Sequence, residues 1–177
     1  MTQTFEQLLA NYARLTVRIG LNLRAGQRLA VRAPIEAAPF TRLVAAEAYQ
    51  AGARFVDVIW NDDQVTLARY KYAPRDSFEE FPTYLAQALT DYVNNGDAVL
   101  NIYAEDPDLL KGQDPQLIQT ARNVAMKHSV GYYQAISRNA TNWCIVSVPI
   151  PSWASKVFPG VPVDQAIQKL WDAIFTV

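Results

Sequence analysis

Cysteine and histidine are almost missing: the 177 residues contain one of each, Cys144 and His128. No intrachain disulfide can form, which fits a reducing compartment. The common zinc arrangements need several Cys or His donors and are nearly excluded. No charge of one sign dominates, with Lys plus Arg at 16, Asp plus Glu at 17 and a net charge of −1. Phosphate binding needs a basic surplus, so nucleic acid is not the expected main partner. Like-charge blocks of the kind that coat a membrane surface or form an acidic tail are absent as well. The longest apolar run falls short of the roughly 20 residues that cross a bilayer. Met1-Thr2-Gln3-Thr4 lacks the basic-then-apolar start of a signal peptide, and the expectation is a cytoplasmic protein with no membrane partner. Glycine-rich phosphate loops are also missing. The turn after the first predicted strand reads Ala33-Pro34-Ile35-Glu36, with no glycine and with an acid that repels phosphate. No Gly-x-Ser-x-Gly elbow occurs, and a serine triad would have to recruit His128. Asn139-Ala140-Thr141 spells a glycosylation site, read as chance where no secretory signal is present.

What is present is a core-forming pattern. Half of the residues are hydrophobic, enough for one domain with a real interior. Thr4 with Gln7 forms a capping-box pattern ahead of the helical stripe Phe5, Leu8, Leu9, Tyr12, Leu15 and Ile19, which Gly20 is expected to close. Four apolar segments read as strands, at about residues 28–33, 54–60, 98–103 and 142–148. Helices are expected from about Glu36 to Ala51, Asp62 to Tyr72 and Pro82 to Asn94. Another starts at Asp114-Pro115 and is expected to run into Tyr132-Tyr133, with Gly131 a point where it could kink. A last helix after Phe158-Pro159-Gly160 gathers Ala166, Ile167, Leu170, Trp171, Ile174 and Phe175 on one side. It lacks a C-terminal cap, so it either docks on its own domain or belongs to a chain that continues, the second being favoured. The pattern predicts a single α/β domain over residues 1–177, an open, mostly parallel four-stranded sheet with helices on both faces.

The candidate chemistry sits in the loops. Glu36 follows the first strand, Asp62 and Asp63 the second, and Glu105 and Asp106 the third. In open α/β sheets ligands bind beyond the carboxyl ends of the strands, so these five acids mark the expected cleft-facing surface. The plainer reading makes Asp62 and Asp106 helix caps or turn residues. His128 falls on a stripe with Leu117, Ala121, Val124, Ala125 and Tyr132 and is expected to be a packed or interface residue rather than a catalytic one. Cys144, inside a strand, reads as a small buried apolar group. Trp153 is either an interface anchor or packs on the domain.

Several segments resemble one known family in order: Asn22-Leu23, Gly26-Gln27-Arg28, Arg32 to Pro39, Ala51-Gly52-Ala53, Ser77 to Pro82, Tyr103 to Pro107, Asn142 to Val146 and Lys169 to Phe175. This order is similar to the amino-terminal part of the aminopeptidase T and aminopeptidase S family. The resemblance implies cytoplasmic, homodimeric, two-domain exopeptidases that act on peptides with two divalent metal ions. It places their metal ligands in a carboxy-terminal domain, and no residue here matches those ligands. The expectation is therefore an amino-terminal domain that binds no cofactor itself, holds no catalytic residue and is inactive without the carboxy-terminal catalytic domain. The alternatives are a stand-alone α/β binding or assembly module and a complete small hydrolase, for which no acid–base pair can be assembled.

Overall fold

The computed structural model describes residues 3–176. Four strands, β1 (Arg28–Pro34), β2 (Phe55–Asn61), β3 (Ala98–Tyr103) and β4 (Trp143–Ser147), form one sheet in the order β2-β1-β3-β4. Every neighbouring pair is parallel. Among the described residues seven α-helices accompany them: α1 (Phe5–Leu15), α2 (Ala38–Gln50), α3 (Asp63–Tyr72), α4 (Thr83–Asn94), α5 (Pro115–Ser137), α6 (Pro151–Val157) and α7 (Val163–Thr176). The strand boundaries agree with the sequence reading to within a residue, because each strand is an apolar run bounded by turn residues. Gly52 and Gly96 supply two of those turns in the left-handed region, with φ of 96° and 75°.

Alternation along the strands divides the core. Leu29, Val31, Leu100 and Ile102 point to one face, where they join Phe40, Val44 and Trp171 from α2 and α7. Ala30 and Val99 point to the other, under Leu89, Tyr92 and Val93 of α4 and Tyr132 of α5. A fully buried side chain such as Phe40, 1 % exposed, stabilises the fold by about 1.5–3 kcal/mol relative to exposure.

Local chemistry sets the helix ends. The Thr4 hydroxyl accepts from the Gln7 amide at 3.3 Å while the Gln7 side chain accepts from the Thr4 amide at 2.9 Å, completing the capping box. Asp114 caps α5 through the Gln116 amide at 2.8 Å, and Pro115 occupies the first helical position, where its missing N–H costs nothing.

The structure corrects three expectations. Gly20 does not close α1. The helix loosens into a π turn over Thr16–Gly20, and the left-handed residue is Asn22, at φ 48°. The Asn142 side chain then holds the Leu21 and Asn22 carbonyls at 2.9 and 2.7 Å, tying this turn to the start of β4. Helix α2 begins at Ala38, after a 3-10 turn over Ile35–Ala37. Helix α5, by contrast, continues through Gly131 into Tyr132 and Tyr133 as expected, and that glycine lies against Thr90 of α4. Helix α6 lies where the sequence showed only Pro149-Ile150-Pro151 punctuation, because Pro151 starts a helix rather than ending a strand. Trp153 on α6 packs on its own domain, between the main core and the small cluster of Ala154, Ala166 and Leu170. Helix α7 also docks on its own domain. Trp171 meets Phe5 edge-on, with centroids 5.6 Å apart, and stacks on Phe175 at 5.1 Å.

Candidate functional site

The strand order creates a crevice. The chain leaves β1 for β2 on one side, then returns across β1 to lay β3 on the other. The connections therefore diverge between β1 and β3, and in open parallel sheets ligands settle beyond the carboxyl ends of the strands at such a point. Arg32 of β1 and Asn101 of β3 are register partners across this line. They lie on the face covered by α4 and α5, one strand period beyond Ala30 and Val99, whose side chains those helices bury.

Past that buried layer the face opens into a cleft of about 470 Å³. Arg32, Asn101 and Ile59 form its floor, Tyr133, Trp143 and Ile145 its apolar sides, and Glu105 part of its rim. Tyr103 also lines the cleft, and several lining groups remain open to solvent: Tyr103 is 50 % exposed, Ile145 57 % and Tyr133 45 %. Trp143 is held by its indole N–H donating to the Asn139 side-chain oxygen at 3.1 Å.

Two arginines on the same face of β1 behave differently. Arg28 is neutralised: its guanidinium meets Asp97 at 2.6–2.7 Å, its backbone amide donates to the same carboxylate at 2.8 Å, and it lies 4.7 Å over the Tyr92 ring. Arg32 is half-buried and has no carboxylate within ion-pair distance among the described residues. Its side chain makes one hydrogen bond among the described residues, donating to the Asn101 side-chain oxygen at 3.4 Å. At the rim, Glu105 interacts with Tyr103 and holds that phenol above its ordinary range.

The five acids expected at the strand ends separate into different jobs. Asp62 caps α3, accepting from the Gln64 and Val65 amides at 2.7 and 3.3 Å. Asp63, 8 % exposed, accepts from the Asn61 side chain and from the Asp106 amide, each at 3.4 Å. That second bond draws the loop after β3 toward the start of α3. Asp106 turns its carboxylate back to the Asp108 amide at 2.9 Å, and Asp108 pairs with Lys156 at 2.7 Å. Glu36 is exposed on the 3-10 turn after β1. Of the five, Glu105 alone lines the cleft. Asp63 and Asp106 meet each other, and Glu36 and Asp62 line no part of it.

These residues do not suit the divalent metal chemistry that the resemblance implies. Among the described residues no group of three or more His, Cys, Asp and Glu side chains is placed to hold an ion. Asp62, Asp63 and Asp106 are already engaged with backbone amides. His128 is exposed rather than turned to the core as its stripe implied, and its ring lies flat on Phe81 with centroids 5.2 Å apart. Cys144 is partly buried in β4 with its thiol close to Gly20, and burial pushes its pKa up, away from a reactive thiolate. Among the described residues no helix is long and apolar enough to cross a membrane.

The sequence reading passed over Arg32 and Asn101. Both signals were present, an Arg in the middle of one apolar strand and an Asn in the middle of another, but the order that makes them neighbours is a property of the fold.

Comparison with known proteins agrees with this architecture. The family model described as "Thermophilic metalloprotease (M29)" matches residues 5–177. Aminopeptidase 2 of Geobacillus stearothermophilus is 42% identical over 173 residues, covering 98% of this chain and 42% of that protein. Aminopeptidase T of Thermus thermophilus is 36% identical over 171 residues, covering 97% of this chain and 42% of that protein. The solved structure of wild-type AmpT from Thermus thermophilus superposes with a TM-score of 0.93 at 36% identity, covering 97% of this chain and 43% of that one. The chain thus spans about two fifths of the length of the relatives it matches.

Proposed function

Because the chain belongs to the M29 family of metalloproteases, we propose that it is the amino-terminal domain of a metal-dependent aminopeptidase whose hydrolytic centre lies outside these residues. The observation that carries the proposal is the coverage: nearly the whole chain matches, yet it accounts for 42% of each relative. The donor chemistry supports the same reading. Activating water at neutral pH takes a metal held by converging carboxylates and imidazoles, and two-metal sites set the ions only about 3.5–4 Å apart. Here one histidine stacks on Phe81, and three of the strand-end acids serve the backbone.

In this reading the substrate of the whole enzyme is a peptide, the working partner is a carboxy-terminal catalytic domain, and the assembly is a cytoplasmic homodimer with two divalent ions per catalytic site. The strand-end surface bearing Glu36, Asp62, Asp63, Glu105 and Asp106 faces that domain or the peptide. The test is release of the amino-terminal residue from a short peptide in the presence of Zn²⁺, Co²⁺ or Mg²⁺. The 177-residue chain is expected to release none, and a form extended to the full length of the relatives is expected to be active. Metal-dependent release by the 177-residue chain overturns the proposal.

A further inference from the structure

We infer that the cleft between β1 and β3 binds an apolar carboxylate, with Arg32 as its anion anchor. The carboxylate is the free terminus of a short peptide or of an acylated amino acid. Three observations converge on this site. Arg32 and Asn101 sit together at the point where the sheet's connections diverge. An aliphatic pair there would extend the layer under α4 and α5, so a half-buried arginine is a costly choice unless an anion meets it. Arg28, four residues earlier on the same face, is matched by Asp97, whereas Arg32 is matched by no carboxylate among the described residues.

The surroundings select the ligand. Asn101 uses its side-chain oxygen toward Arg32, which leaves its N–H donors for a second anion oxygen. Ile59, Tyr133, Trp143 and Ile145 offer an apolar bed for an aliphatic or aromatic side chain. A phosphate dianion suits the cleft less well. There is one guanidinium, Glu105 on the rim adds negative charge, and the turn after β1, Pro34-Ile35-Glu36, has no glycine to open its backbone amides.

The probes are N-acetylphenylalanine and the tripeptide Gly-Gly-Phe, each beside its carboxamide, and inorganic phosphate. Binding is followed by titration calorimetry and by the Trp143 indole N–H resonance. Each acid is expected to bind in the range of about 1 mM and about ten-fold or more tighter than its amide. The tighter of the two acids identifies the source of the carboxylate. Arg32→Gln removes the preference for acid over amide, and Arg32→Lys, which keeps the charge without the fork, restores part of it. Ile145→Glu, on an exposed edge strand, leaves Arg32 intact and abolishes acid binding by repulsion. Thermal unfolding confirms that each variant is folded. Equal binding of acid and amide, tighter binding of phosphate, no binding of either acid at 20-fold the expected concentration, or an Arg32→Gln chain that keeps its preference would each overturn the assignment.

Discussion

Replacing Tyr12 by phenylalanine should loosen the outer edge of the sheet without disturbing the core. The Tyr12 hydroxyl donates to the Ser147 carbonyl at 3.1 Å and accepts from the Ser147 amide at 3.2 Å. One side chain from α1 thus satisfies both outward backbone groups at the end of the edge strand β4. Its ring stacks on Phe40 at 4.9 Å and meets Trp171 and Phe175 edge-on. Phenylalanine keeps the ring and loses both bonds. At about 0.5–1.5 kcal/mol net for each bond, the cost is about 1–3 kcal/mol. For a chain of this length that is a fall in Tm of about 2–10 °C. Tyr12→Ala also deletes the ring and should cost about 3–5 kcal/mol. Burial raises the Tyr12 pKa, so the folded chain holds the phenol neutral. The stability this gives is present below about pH 10 and is lost as pH rises through the raised folded value. The variant should therefore show a shallower alkaline loss of stability. Thermal unfolding at neutral and alkaline pH, with hydrogen exchange at the Ser147 amide, measures all three effects. A Tm within about 1 °C of the parent and unchanged exchange at Ser147 would refute the reasoning.

The remaining predictions concern a turn and a cap. Gly52 has φ 96°, and a Cβ there would lie 2.9 Å from the Ala25 Cβ, whereas Gly26 has φ 86° and open space. Gly26→Ala should cost about 1–2 kcal/mol of backbone strain and Gly52→Ala clearly more, as read by urea unfolding. Asp114 is held below the usual carboxylate range, first by Arg75 and then by the Gln116 amide. A depressed folded value means that stability is present above about pH 4 and is lost as pH falls through the folded value. Asp114→Asn keeps the cap and removes the charge, so its unfolding midpoint should fall less steeply on acidification than that of the parent.

The strands were legible because buried parallel strands are near-continuous apolar runs, and Gly52 and Gly96 punctuate them. The long helices were legible from caps such as Asp62 and Asp114, whose chemistry is local. Helix α6 escaped because seven residues are too few to show a period, and Pro151 reads equally as a stop and a start. The π turn escaped because its stabilising partner, Asn142, is more than a hundred residues away. For the site, the sequence drew attention to loop acids, whose abundance after strands is mostly capping. The cleft depends on which strands are neighbours, and β1 beside β3 is decided by long-range packing rather than by any local pattern. Once that order is known, Arg32 stands out beside Arg28 as an arginine with no acid paired to it among the described residues.

The claim that the hydrolytic metals lie outside these residues is tested most directly by titrating Zn²⁺ and Co²⁺ into the 177-residue chain and counting bound ions. Exposed carboxylates should give at most weak, non-stoichiometric binding, of the order of millimolar. Tight binding of two ions per chain, lost on substitution of Asp63, Glu105 or Asp106, would contradict the account.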